Sequence, residues 1–338
     1  MASSPQFVDY DADGTLDFIS GCYDPGDIYW FRGLGGGKYE RGKFLSDEAG
    51  VPLVHHPEER ALSNRLALET SGDSEESIMA RVASFGSWPA MVDWDQDGDL
   101  DMLIGSFAGR LFLRLNEGSR AEPIFASEAI VVEVEGKPLA VDGHANPVVA
   151  DWDGDGRWDL VVSAANGSVT WFRNVSAGKQ PQLESGRILV SAKADSKFLT
   201  QVVRPGESPK PGVRAQICVT DFDLDGRLDL LLGDYSHVVR LVSEDRDILE
   251  AYQALESKKE RVLELLKDAS EPEEKRELRR QLKVLTKWQE PYVEGDPEGR
   301  IMSFLWLYRR KPAMNANPLP ASVGDKSPSS GGETSEDA

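Results

Sequence analysis

Hydrophobic residues in this chain come in short runs that bracket four acidic segments. Phe7-Val8, Met91-Val92, Val148-Val149 and Ile217-Cys218-Val219 lead into those segments. Asp17-Phe-Ile-Ser-Gly21, Asp101-Met-Leu-Ile-Gly105, Asp159-Leu-Val-Val-Ser163 and Asp229-Leu-Leu-Leu-Gly233 lead out of them. Brief aliphatic runs, mostly stopped by glycine, suit buried strands and are too short for amphipathic helices. Each acidic segment therefore sits inside a β-hairpin. A third strand is predicted at 28–31, 110–113 and 169–172, and a fourth at 129–132 and 187–190. Pro5, Pro89 and Pro147 lie four residues before their acidic segments, where a strand can begin, and Ile217 takes that place in the fourth copy. The predicted unit is a four-stranded antiparallel sheet, and its repetition makes the fold class all-β, a β-propeller.

Within the acidic segments one motif, DxDxDGxxD, occurs four times without a missing aspartate. The copies are Asp9, Asp11, Asp13 and Asp17; Asp93, Asp95, Asp97 and Asp101; Asp151, Asp153, Asp155 and Asp159; and Asp221, Asp223, Asp225 and Asp229. Carboxylates at alternate positions converge only if the chain wraps around something, and the glycine at position 6 permits the sharp turn. A hard divalent cation removes their mutual repulsion and satisfies the loop. The predicted ligands are the carboxylates at positions 1, 3, 5 and 9, plus the carbonyl at position 7. Those carbonyls belong to Thr15, Asp99, Arg157 and Arg227, whose side chains are expected to point away. A crowded all-oxygen cage favours calcium over magnesium, and zinc would want histidine or thiolate. About four calcium sites are expected. An EF-hand is excluded, since its position-12 glutamate is replaced by Ser20, Ile104, Val162 and Leu232.

Position 2 of every loop is aromatic (Tyr10, Trp94, Trp152, Phe222), and position 8 is Leu16, Leu100, Trp158 or Leu228. These large side chains are expected to fill the space between packed sheets. The pattern resembles the FG-GAP repeats of the integrin α-subunit β-propeller and of many bacterial repeat proteins, over roughly residues 5–310. The resemblance implies calcium held on one propeller rim by the motif aspartates, and a role in adhesion and recognition. That family usually closes a ring of seven blades, whereas four are recognisable here. Two readings stay open: a small propeller, with a degenerate extra blade in the insertions, or a fragment that has lost a leader.

The fourth unit breaks pattern after Val238-Val239. Ser243 is expected to cap a helix carrying Ile248, Tyr252, Leu255, Val262 and Leu266 on one face. Ser270-Glu-Pro-Glu273 reads as a capping box that starts a second helix through Leu278, Leu282 and Leu285. The predicted organisation is a propeller over 1–311, a helical hairpin inserted at 243–290, and a disordered tail at 312–338, rich in Pro, Ser, Gly and acid. The hairpin is either a self-packed decoration or an arm for a protein partner.

Composition narrows the function. The 338 residues carry a formal charge of −20, most of it in the sixteen motif aspartates. That field argues against nucleic acid as a partner, and no apolar run is long enough for membrane insertion. Nor do residues 1–8 read as a secretory signal. Cys22 and Cys218 fall in the first and fourth units, as a closing disulfide or, the preferred expectation, two buried free thiols. Gly33-Leu-Gly-Gly-Gly-Lys38 lacks the Ser/Thr of a phosphate loop and reads as a strand-linking turn. His55-His56-Pro-Glu-Glu is not HExxH, and no GxSxG elbow occurs. The expected function is a non-enzymatic, calcium-binding, extracytoplasmic scaffold that recognises protein or polysaccharide. The alternatives are an ancillary propeller of a polysaccharide-degrading enzyme and a purely structural cell-surface module.

Overall fold

A computed structural model describes residues 4–23, 26–54, 86–176, 178–193 and 200–311. His55, His56 and the predicted tail lie outside the described residues. Three sheets follow one plan, antiparallel and in sequence order. The first holds β1 (Ser4–Val8), β2 (Asp17–Gly21), β3 (Ile28–Phe31) and β4 (Lys43–Phe44). The second holds β5 (Ser87–Val92), β6 (Asp101–Ser106), β7 (Leu111–Arg114) and β8 (Ile130–Val131). A two-stranded ribbon, β9 (Glu133–Val134) and β10 (Lys137–Pro138), leads on to the third. That sheet contains β11 (Asn146–Ala150), β12 (Asp159–Ser163), β13 (Val169–Phe172) and β14 (Arg187–Val190). The second unit's third strand starts one residue later than expected. Arg110 is taken up by the turn, its carbonyl accepting from the Ser106 N–H at 2.9 Å.

The fourth sheet departs from the plan. β17 (Asp229–Arg240) runs twelve residues and keeps its buried side chains largely in alternation to the end, so one strand serves two sets of partners. Its first half pairs with β16 (Val213–Thr220) and β19 (Leu305–Tyr308). The second half pairs with β18 (Arg300–Met302) and, in parallel, with β15 (Thr200–Val203). Between β17 and β18 the chain makes α1 (Arg246–Asp268) and α2 (Pro272–Gln289). Their shared core is Val262, Ala269, Leu278 and Leu285, and Tyr252 anchors α1 on Val239, Leu241 and Val293 of the sheet region. Neither predicted side-chain cap forms. α1 starts after Asp245, with Ser243 accepting the Asp245 N–H at 3.1 Å, and α2 starts at Pro272 after Glu271. A Ser243 hydroxyl engaged in this upstream turn cannot also cap the helix.

The four sheets succeed one another about a common axis like propeller blades. Parts of β1, β5, β11 and β16 line a cavity of about 610 Å3, with Gln6, Asn146 and Gln216 among its polar groups. Cys22 and Cys218 form no disulfide with each other; Cys22 is half-buried and Cys218 is exposed on β16, which corrects the expectation of two buried thiols. The Gly33–Lys38 segment is a turn, closed by the Leu34 N–H donating to the Lys38 carbonyl at 2.9 Å.

Each junction between successive sheets has its own apolar cluster. Tyr10, Ile19 and Ile28 meet Met91, Met102 and Ile104 at the first. Trp94, Leu103 and Leu113 meet Leu160, Val162 and Phe172 at the second, and Trp152, Val161 and Trp171 meet Leu230 and Leu232 at the third. The glycines at the ends of the predicted runs owe their place to this packing. A Cβ on Gly21 would lie 1.8 Å from the Ser87 carbonyl oxygen, and one on Gly105 1.9 Å from that of Ala145. At the third junction Ser163 stands in this position and donates to the Ala215 carbonyl at 2.7 Å.

Candidate metal centres

Each acidic motif forms the turn between two consecutive antiparallel strands of its sheet, so the propeller repeat sets the spacing of the loops. The chain enters the left-handed region twice per turn. Gly14, Gly98, Gly156 and Gly226 do so at position 6, as expected. Position 4 does so as well, at Ala12, Gln96, Gly154 and Leu224, three of them without glycine's freedom. The sequence carries no compositional sign of this second reversal, because the residue type varies.

Three recurrent contacts shape every loop or nearly every loop. The position-1 carboxylate accepts the position-6 N–H, as in Gly14 to Asp9 at 3.2 Å and Gly156 to Asp151 at 2.9 Å. The position-5 carboxylate accepts the position-7 N–H, as in Thr15 to Asp13 at 2.8 Å and Arg157 to Asp155 at 3.0 Å. Position 9 makes the deepest contact. Asp17, Asp101, Asp159 and Asp229 are buried, and each takes the position-2 N–H on one oxygen and an N–H just beyond the third or last strand on the other. In the second loop these are Trp94 at 3.0 Å and Asn116 at 2.8 Å, and in the third Trp152 at 3.2 Å and Asn174 at 2.8 Å. Gly33 and Arg310 supply the second N–H in the first and fourth. Position 9 is thus a clasp between loop and sheet, a role the motif alone does not announce.

Ligand atoms of Asp9, Asp11 and Asp13 lie within 4.8 Å of one another, as do those of Asp93, Asp95 and Asp101. The same holds for Asp151, Asp153 and Asp159, and for Asp221, Asp223 and Asp225. Asp97, Asp155 and, in the first and fourth loops, Asp17 and Asp229 lie outside these closest trios. Buried carboxylate oxygens without a hydrogen-bond partner remain on Asp9, Asp11, Asp93, Asp95, Asp99 and Asp153. An unpartnered buried carboxylate oxygen is costly, and a cation with oxygen preference is what such a donor set fits. Each of the four trios could hold a metal ion.

Electrostatic surroundings differ between loops. In the first, Arg32 reaches Asp11 at 2.6 Å and Asp13 at 2.8 Å; the Thr15 N–H and then this guanidinium hold Asp13 below the usual carboxylate range. In the third, Arg173 meets Asp153 at 2.5 Å and Asp155 at 2.7 Å. Against a desolvation penalty, the Arg157 N–H and both nearby guanidiniums hold Asp155 low. Arg309 approaches Asp223 of the fourth loop at 3.3 Å. The second loop has Leu115 where these arginines stand, and among the described residues the cation that meets its carboxylates is Lys179, 3.0 Å from Asp95. Burial there pushes the Asp101 carboxyl up to about 6 and, with crowding by Asp97, Asp95 and Asp93, raises Asp99.

One expectation fails at position 7. Arg157 and Arg227 do not point away; each guanidinium folds back onto the position-5 aspartate of its own loop, Asp155 and Asp225. Asp99 turns inward too and is buried. A carboxylate already polarised by one N–H attracts the nearest flexible cation, which is the side chain of the residue that donates it.

An FG-GAP-like repeat matches residues 93–162, a span that begins at the second acidic loop and runs past the third. No curated protein sequence matches the chain. Among solved structures, similarity is found to a lectin of Agrocybe aegerita, described as recognising non-reducing terminal N-acetylglucosamine. It has 17% sequence identity and a TM-score of 0.30, and covers 68% of this chain and 60% of that one.

Proposed function

We propose that this chain is a calcium-stapled β-propeller, non-enzymatic, that acts outside the cytoplasm as a recognition or adhesion scaffold for protein or polysaccharide. The observation that carries the metal part is the set of buried, unpartnered carboxylate oxygens in three of the four loops. Calcium supplies the positive charge that these oxygens lack. The residues that would hold it are the aspartates at positions 1, 3, 5 and 9 with the carbonyls of Thr15, Asp99, Arg157 and Arg227. Since each trio exists only in the folded hairpin, bound ions stabilise the fold by mass action, and loops of this kind fill where calcium is plentiful.

Support for recognition comes from the cavity between the inner strands. Its lining is mainly prolines, aliphatic side chains and amides, with Asn146 donating to Gln216 at 3.3 Å. Amide groups on a rigid frame can bind a neutral hydroxyl-rich or peptide ligand. Among the described residues, no helix is long and apolar enough to cross a membrane. Calorimetric titration of calcium into chelator-treated protein tests the metal; heats that fit no site contradict it. A glycan array run beside a hydrolysis assay on acidic polysaccharides tests the rest. Binding without turnover is expected, and turnover would replace the scaffold reading with an enzymatic one.

A further inference from the structure

We propose that the two end faces of the four-sheet array are halves of one interface, and that a second copy of this chain supplies the missing half. The three internal junctions share a polarity. Each takes the position-2 aromatic of the preceding loop and the position-8 side chain of the following one. Tyr10 with Leu100, Trp94 with Trp158, and Trp152 with Leu228 fill the first, second and third junctions. This arithmetic leaves one unused member at each end, position 8 of the first loop and position 2 of the fourth. Tyr10, Trp94 and Trp152 are 4%, 4% and 7% exposed, whereas Phe222 is 56% exposed and Leu16 59%.

The strands repeat the asymmetry. Met91 and Met102 of the second sheet, and Val219 and Leu230 of the fourth, pack onto the sheet before them. Their counterparts in the first sheet are Phe7 and Phe18, whose rings lie 5.4 Å apart in a cluster with Tyr39, and Phe7 and Tyr39 are exposed. At the other end, Leu113 and Trp171 are buried by the following sheet, while their counterpart Leu307 and its neighbour Leu305 are exposed. Gly21 and Gly105 are pressed against the next sheet, but among the described residues a Cβ on Gly233 would meet only its own sheet's Gln216 oxygen, at 3.8 Å. The first and fourth sheets therefore do not bury these faces on each other. An aromatic front and an aliphatic rear, built to the pattern of three existing junctions, fit one another between copies. Such a contact is heterologous, front to rear, and closes a ring or extends a chain according to its rotation.

Front-to-rear packing of these apolar side chains does not depend on which ion the loops hold. Its test is sedimentation velocity of the full chain in calcium with two charge variants, Phe7→Glu at the front and Leu307→Glu at the rear. Both side chains are exposed, and circular dichroism checks that each variant folds. The wild type is expected to rise with concentration to multiples of 37.2 kDa. Each variant alone should associate at least about tenfold more weakly. An equimolar mixture should restore association, stopping at a heterodimer, because each partner keeps one intact face. A wild type that stays monomeric at every concentration, or a mixture no tighter than either variant, overturns the proposal.

Discussion

The second and third acidic loops share one motif and solve its repulsion in different ways. In the third, Arg173 and Arg157 already neutralise Asp153 and Asp155, and a single buried carboxylate oxygen is left without a partner. In the second, Leu115 replaces the arginine, a fifth acid (Asp99) joins, and Asp93, Asp95 and Asp99 each keep an unpartnered oxygen. Burial holds the carboxyls of Asp101 and Asp99 high there, the signature of negative charge short of a counter-ion. The third loop carries its own cations, which a bound metal would have to displace in part, whereas the second has Lys179 on Asp95 alone. Metal affinity should therefore rank the second loop above the third, although the motif reads the same.

The largest test removes the metal from every loop. Chelation should lower the unfolding free energy by about 2.7 kcal/mol for each site previously held at a hundredfold excess over its Kd. Thermal melts with and without calcium measure it. A melting temperature indifferent to chelator would dissolve the comparison, because nothing would then be bound in either loop.

Next in size is the contrast between clasp and ligand inside one loop. Asp159 accepts from the Trp152 and Asn174 backbone N–H groups and from the Trp171 indole N–H at 3.0 Å. Asp159→Ala strands those buried donors at about 1–3 kcal/mol apiece, so it should destabilise the protein with or without calcium. Asp153→Ala removes a carboxylate whose protein partner is a half-exposed arginine, so its cost should be small in chelator and clearly larger when calcium is present. Denaturant melts of both variants in calcium and in chelator separate the roles. Equal losses under both conditions for Asp153→Ala would assign it to the clasp as well.

That contrast marks where the sequence stopped being legible. Strands, hairpins and acidic turns could be read because period-two hydrophobicity and the motif are local, and β1–β3 or β11–β14 fall where the runs place them. Partners from distant segments could not be read. Arg173 lies well downstream of Asp153, and nothing in DxDxDGxxD says which aspartate faces backbone and which faces an ion. The glycines of the predicted runs looked like stops, although the physical reason for them is the Ser87 and Ala145 carbonyls of the next sheet. Similarly, β17 outran its expected end because alternation continued into a second set of partners.

A smaller effect ranks the loops directly. Asp95→Ala should remove more of the calcium-induced stabilisation than Asp153→Ala, since the second loop has more unpaired acid to lose. The difference amounts to the extra affinity of one site, about 1.4 kcal/mol for a tenfold gap in Kd. Calorimetric titration of the two variants reads it. If Asp153→Ala lost the tighter site instead, the built-in arginine would be organising the loop for metal and not competing with it.

The smallest expected effect isolates that arginine. Arg173→Gln keeps a shorter, uncharged hydrogen-bond donor while deleting the charge beside Asp153 and Asp155. Without calcium, Asp153 loses its counter-ion while Asp155 keeps Arg157, and the variant should be slightly less stable than the parent. With calcium, the ion no longer competes with a guanidinium, and the third site should tighten by on the order of a few-fold. The two changes have opposite signs, which a general packing defect would not produce. Because the pair is half-exposed, added salt should shrink both changes together. Titrations of the parent and Arg173→Gln at low and high ionic strength measure the crossing. Calcium affinity unchanged at low salt would mean that Arg173 swings clear of the loop when metal enters, leaving burial and the extra acid Asp99 as the causes of any remaining difference between the second and third loops.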